Sequence, residues 1–206
     1  MIAILDYGVG NLFSLRSSFR AIGAEAVVTA DPAEIRAADR LILPGVGAFE
    51  DAARKLRESG MADLVKSEAA RGKAIMGICL GKQMLFEKSF EYGEHEGLGL
   101  IKGTVRPIAD VIPKDLKIPH IGWNALHFTH PNPLFKYLKE GDFVYFVHSF
   151  YAADCDEAVI ATSEYGAPLT AAVAFGNVLG CQFHPEKSGE VGLSILRAFC
   201  EWEVTQ

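Results

Sequence analysis

The short apolar run Lys73-Ala74-Ile75-Met76 leads directly into Gly77-Ile78-Cys79-Leu80-Gly81-Lys82-Gln83, which is followed by Met84-Leu85-Phe86-Glu87. The apolar run reads as a buried strand and the residues after the glycines as a helix that includes Met84 to Glu87. A strand passing through Gly-x-Cys-x-Gly into a helix has the form of a nucleophile elbow, in which the reactive side chain sits on a strained turn and both glycines allow close backbone approach. Such a turn is expected to push the Cys79 sulfur into solvent at the strand end. A helix starting just after Cys79 would aim free N–H groups at the thiol, favour the thiolate and offer the Leu80 N–H to an oxyanion. A buried structural cysteine in a Gly-rich turn fits the same letters. A His and an acid elsewhere in the chain would decide between them.

The chain around the elbow predicts an α/β fold. Ile2 to Leu5, Ala26 to Thr29 and Arg40 to Leu43 read as strands, with helices over Leu12 to Ile22 and after Asp31-Pro32-Ala33-Glu34, which supplies an N-cap, a Pro at the first helical position and an early acid. Helical patterns continue from Ala48 to Arg71. This alternation implies a mostly parallel, doubly wound, flavodoxin-like sheet with its ligand site at the carboxyl ends of the strands. After Glu87 the texture changes to short β-type runs, Leu98 to Pro107, Ile118 to Phe128 and Asp142 to Val147, which predict antiparallel hairpins laid against the first half. Val159 to Thr162, Thr170 to Phe175 and Val178 to Phe183 add strands, and a helix closes the chain from Gly189 to Trp202.

Composition narrows the function classes. A chain of 206 residues suits a single domain, and the net charge of −6 argues against a nucleic-acid partner. No apolar run reaches membrane-spanning length, and Met1-Ile2-Ala3-Ile4-Leu5-Asp6 reads as a strand, so a cytoplasmic protein is expected. Gly8-x-Gly10 has Phe13 where a dinucleotide fingerprint needs its third glycine, and the four cysteines show no metal spacing.

Two further segments bear on the elbow. Pro44-Gly45-Val46-Gly47 brackets Val46 with glycines, so its N–H could reorient and serve as a second oxyanion donor. Near the other end of the chain, Gln182-Phe183-His184-Pro185-Glu186-Lys187 follows a strand. Pro185 disfavours helical geometry at His184, so an extended segment is expected, with His184 and Glu186 facing the same way. His184 would then take the Cys79 proton, and Glu186 would fix its tautomer.

Together the three segments resemble the class I (triad) glutamine amidotransferases, whose pattern is an oxyanion strand, Gly-x-Cys-x-Gly-x-Gln and His-Pro-Glu. The resemblance runs over essentially the whole chain, 1–206, as one domain. Within that family, Asp6 to Asn11, Pro44 to Gly47, Gly122-Trp123-Asn124, Tyr145 to Ser149 and Gln182 to Ser188 are similar to the glutaminase subunits of imidazole glycerol phosphate synthases. The resemblance implies Cys79, His184 and Glu186 as the catalytic triad and the Val46 and Leu80 N–H groups as oxyanion donors. It places Gly47, Gln83 and the backbone of Ser149 and Phe150 around the amino-acid end of glutamine. It implies no cofactor, and a reaction in which glutamine is hydrolysed to glutamate and ammonia. The ammonia would pass to a separate cyclase subunit, a (β/α)8 barrel for which this chain has no room. That heterodimer partner is expected to dock at the mouth of the site, flanked by Asn11, Trp123, Tyr145 and Lys187, with Trp123 as an exposed anchor or as a core residue of its hairpin. A glutaminase serving another amidotransferase, or a noncatalytic or peptidase-like relative, remains the alternative.

Lys82 departs from the apolar residue expected between Gly81 and Gln83. Pointing outward it would change nothing; pointing inward it would alter the elbow's packing. His95, His127 and His130 read as solvated, His120 as structural and His148 as a positioning residue. Cys155, Cys181 and Cys200 read as small apolar core residues.

Overall fold

The computed structural model describes residues 1–203. Its first half is the expected alternation: β1 (Ile2–Leu5), α1 (Leu12–Ala21), β2 (Ala26–Thr29), α2 (Pro32–Ala37), β3 (Arg40–Leu43), α3 (Phe49–Glu58), α4 (Met61–Ala70), β4 (Ala74–Ile78) and α5 (Leu80–Met84). Helix starts follow local chemistry. Asp31 accepts the Ala33 N–H at 2.7 Å with Pro32 at the first helical position, and Asn11 accepts the Ser14 N–H at 3.4 Å.

The second half supplies β5 (Phe86–Ser89), β6 (His95–Glu96), β7 (Ile101–Pro107), β8 (His120–Ala125), β9 (His127–Phe128), β10 (Phe143–His148) and β11 (Phe150–Ala153). β12 (Val159–Glu164), β13 (Pro168–Phe175), β14 (Val178–Cys181) and α6 (Gly189–Cys200) complete it. The main sheet has the order β2-β1-β3-β4-β14-β13-β12-β9. Its first five members are parallel neighbours and the last three join antiparallel. That parallel order is the flavodoxin-like one, and it gathers the carboxyl ends of β3, β4 and β14 side by side.

The continuous apolar runs are explained by burial on both faces. Ala3 and Leu5 belong to the core shared with α2, α3 and α4, whereas Ile2 and Ile4 face the opposite core shared with α1 and α6. Alternate residues of one strand thus feed two cores.

Two expectations need correction. The helix after the elbow ends at Met84, and Phe86-Glu87 is strand. The carbonyls of Met84, Leu85 and Phe86 accept N–H groups from Leu98, Leu100, Ile101 and Gly99 at 2.8–3.0 Å, so a distant segment takes the acceptors that a longer helix would need. The added strands are also not all antiparallel hairpins. β8 with β10 and β7 with β11 are antiparallel, but β5 and β7 run parallel.

Candidate active site

Cys79 sits between β4 and α5 with φ 54° and ψ −111°, a conformation that costs a non-glycine residue about 1–3 kcal/mol. The surroundings over-determine it. The Cys79 N–H donates to the Cys181 carbonyl at 2.8 Å, and the Gln83 N–H donates to the Cys79 carbonyl at 3.1 Å. A Cβ at Gly81 would stand 1.9 Å from the Leu43 carbonyl oxygen, so the elbow closes against β3 only with glycine there. The sulfur does not project into solvent as expected. Cys79 is 8% exposed, because the crossing from β10 to β11 folds over it and brings the Val147 carbonyl to 4.0 Å from Sγ.

His184 and Glu186 meet as expected but by another geometry. His184 is extended (φ −100°, ψ 99°), whereas Pro185–Lys187 forms a 3-10 turn closed by the Lys187 N–H on the His184 carbonyl at 3.0 Å. The turn, and not alternation along a strand, brings Glu186 Oε1 to 2.8 Å from His184 Nδ1. Ser188 locks the segment: its hydroxyl donates to the His184 carbonyl at 2.7 Å and accepts the Tyr145 N–H at 3.0 Å. Both side chains are almost fully buried, 3% and 1% exposed. Burial pulls the His184 pKa down, but the neighbouring Cys79 thiol and the Glu186 carboxylate bonded to Nδ1 outweigh it and raise the pKa to about 9.

A cleft of about 320 Å³ opens in front of this group, lined by Cys79, Leu80 and Gln83 from the elbow, Val46 and Gly47 from the loop after β3, and Ser149, Phe150 and His184. Every residue expected to contact the substrate therefore lines one cavity, with Glu186 behind His184. Gln83 is held by its Nε2, which donates to the Phe150 carbonyl at 3.1 Å and to Gln182 Oε1 at 3.2 Å. His148 bonds the same carbonyl through Nδ1 at 2.9 Å and meets His120 through Nε2 at 3.0 Å. Burial drops its pKa to about 3, so it is a neutral support for the β10–β11 crossing. His120 stacks on Tyr165 at 4.0 Å in the structural role expected of it.

Two residues were not foreseen in these places. Glu91 is a buried carboxylate on the cleft wall; its Oε2 accepts the Phe49 N–H at 2.9 Å, and burial raises its pKa despite that bond. Gln182 directs Nε2 at the Cys79 sulfur from 3.8 Å. Its position two residues before His184 was the available signal, whereas Glu91 left none in the local pattern. Lys82 turns inward and is fully buried. His95, read as solvated, is half-buried with its Nε2 buried and unpartnered, while His127 and His130 are exposed. Cys155 and Cys181 are buried in the core, and Cys200 is partly so.

The flanking residues divide. Trp123 is 51% exposed, which excludes the hairpin-core reading, and it is paired in register with Tyr145, ring centroids 6.1 Å apart. Lys187 Nζ lies 5.8 Å from the Tyr145 ring centroid. Asn11 is spent on capping α1.

The family described as glutamine amidotransferase class-I matches residues 3–201. The chain belongs to the class-I glutamine amidotransferases. This amidotransferase is 50% identical to proteins named imidazole glycerol phosphate synthase subunit HisH from Caldanaerobacter subterraneus subsp. tengcongensis and Sulfurimonas denitrificans, over 98% of each chain. It is 49% identical to the HisH subunit of Lactococcus lactis, over 97% of this chain and 98% of that one. Its fold is shared with a solved glutamine amidotransferase at a TM-score of 0.76 and with PurLQS from Thermotoga maritima at 0.71, each 22% identical and covered over 97% of both chains.

Proposed function

We propose that this amidotransferase is the glutaminase subunit of an imidazole glycerol phosphate synthase. It hydrolyses glutamine and passes the ammonia to a separate cyclase subunit, which forms imidazole glycerol phosphate and aminoimidazole carboxamide ribotide in histidine biosynthesis. The observation that carries the reading is the convergence of Cys79 and His184 on one cleft, with Glu186 bonded behind His184, in a chain about half identical to HisH subunits over 98% of its length. Among the described residues no helix is long and apolar enough to cross a membrane. We place the pair of subunits in the cytoplasm and treat residues 1–206 as one domain.

The Cys79 thiolate attacks the side-chain carbonyl carbon of glutamine, and the oxyanion is met by the N–H groups of Leu80 and Val46. The tetrahedral adduct collapses to a thioester as the C–N bond breaks, and the leaving nitrogen takes a proton from the His184 imidazolium to depart as ammonia. His184 then deprotonates water, which attacks the thioester. Glutamate leaves and Cys79 is restored. Glu186 holds Nδ1–H, so that Nε2 is the nitrogen that exchanges the proton. With Gln83 Nε2 committed to Phe150 and Gln182, its Oε1 is free to accept from the glutamine ammonium, and Glu91 supplies the opposite charge. Gly47 and the Ser149–Phe150 backbone complete the cradle.

The test is ammonia release from glutamine with and without the cyclase subunit. Cys79→Ala should abolish it, by 10³-fold or more since triad members act as a unit, while the circular dichroism spectrum and subunit association are kept. Turnover at the wild-type rate would remove Cys79 from the mechanism.

A further inference from the structure

Lys82 lies on α5, one helical turn beyond Cys79, and its side chain runs beneath the elbow into the protein. The site is built for it. A Cβ at Gly180 of β14 would stand 2.6 Å from Lys82 Cγ, so the missing side chain on the strand is what makes room for the lysine stem. Lys82 Nζ donates to the Thr170 carbonyl at 3.1 Å and to Gln182 Oε1 at 3.4 Å, and lies 5.8 Å from the centroid of the Phe86 ring. The ionisable groups facing it are Cys155 after β11, Cys181 at the end of β14, Cys79 itself and His148 from β10. Among the described residues no carboxylate pairs with Nζ.

A buried ammonium without a carboxylate is costly, and an apolar chain of the same length would pack here without that cost. Burial lowers the Lys82 pKa to about 8, which leaves it charged at neutral pH. Gln182 connects it to the sulfur. Its Oε1 accepts from both Lys82 and Gln83, so the end of the amide left for Cys79 Sγ is the Nε2 donor, 3.8 Å away.

We propose that Lys82 is a positioning residue for Cys79: its buried ammonium fixes the Gln182 amide with its N–H on the sulfur and supplies the positive charge that favours the thiolate. The proposal deepens the function proposed above and rests on Cys79 being the nucleophile. Lys82 exchanges no proton with substrate and touches none of its atoms.

The test compares wild type, Lys82→Met and Lys82→Gln by the rate of Cys79 alkylation with iodoacetamide from pH 6 to 10. The rate in Cys79→Ala is subtracted to remove the other cysteines. Without the charge the thiolate is less favoured, so alkylation in both variants should fall about tenfold at pH 6–7. The difference should close towards pH 10, where Lys82 has lost its proton in the wild type as well. With the cyclase subunit present, kcat should fall by a similar factor and KM stay within about twofold. Thermal melting of Lys82→Met should be at or above wild type, a combination that a merely structural lysine would not give. Lys82→Gln keeps a donor for Gln182 and carries the test if the methionine variant does not fold. Wild-type alkylation in either folded variant, or a loss of the same size at every pH, overturns the proposal. Glutamine turnover retained by Cys79→Ala would instead remove the nucleophile assignment, whatever Lys82 does.

Discussion

Two buried cations beside one sulfur respond to pH in opposite ways. His184 has a folded pKa of about 9 against an ordinary 6.5, so its contribution to stability is complete below about 6.5 and is lost as pH rises through 9. Lys82 has a folded pKa of about 8 against 10.5. Its burial penalty, on the order of 3 kcal/mol, is therefore full below 8 and is relieved as pH climbs to 10.5. For catalysis the His184 shift matters most, because the imidazolium must protonate the departing nitrogen. In the complex with the cyclase subunit, kcat/KM should decline as pH rises through about 9. Glu186→Gln keeps an acceptor at His184 Nδ1 but removes the charge, so the decline should move to lower pH and kcat should drop roughly 10²- to 10⁴-fold. A pH–rate profile reads both, and a limb that stayed near 9 in the variant would detach Glu186 from the His184 proton.

At the scale of elements, the short helix α5 is fixed by contact and not by propensity. Gly81 lets it lie against β3, and Gly81→Ala would force a Cβ to 1.9 Å from the Leu43 carbonyl oxygen. The strand and elbow must shift, at a cost of about 3 kcal/mol in urea unfolding, with kcat falling because Cys79 moves with them. A loss under about 1 kcal/mol would mean that the elbow tolerates displacement. The same contrast separates what was legible in the sequence from what was not. β1, β3 and β4 could be read because burial on both faces demands an unbroken apolar run, and α2 because Asp31 and Pro32 announce its start. Cys79, His184 and Glu186 could be singled out as candidates because the residues that mark them, Gly77, Gly81 and Pro185, stand one or two positions away. The end of α5 could not, since Leu98 to Ile101 decide it from across the chain. Neither could the burial of Cys79 under the β10–β11 crossing, the entry of Glu91 into the cleft or the inward turn of Lys82. Each of these is set by a partner far away in sequence.

For the whole molecule, the two-stranded β8–β10 sheet links the cleft to the outside. His120, Val144, Phe146 and His148 are buried on its inner face, whereas Ile121, Trp123 and Phe143 are more than half exposed and Tyr145 is half-buried between them. Alternation in register produces this division: Tyr145 opposes Trp123, and Val147 opposes Ile121. An outward apolar face continuous with the strand that runs into the cleft through His148 and Ser149 is where a partner could seal the site, and sealing is what the delivery of ammonia requires. Aromatic anchors at the centre of such a face carry a disproportionate share of binding energy. Trp123→Ala should therefore weaken association with the cyclase subunit by about 2 kcal/mol or more, roughly 30-fold in Kd. The isolated chain should melt where the wild type does, because Trp123 supports little of its own core. Titration calorimetry of the two chains gives the first quantity and a thermal scan the second. An unchanged Kd would mean that the cyclase approaches from another side and that the exposed β8–β10 face serves something else.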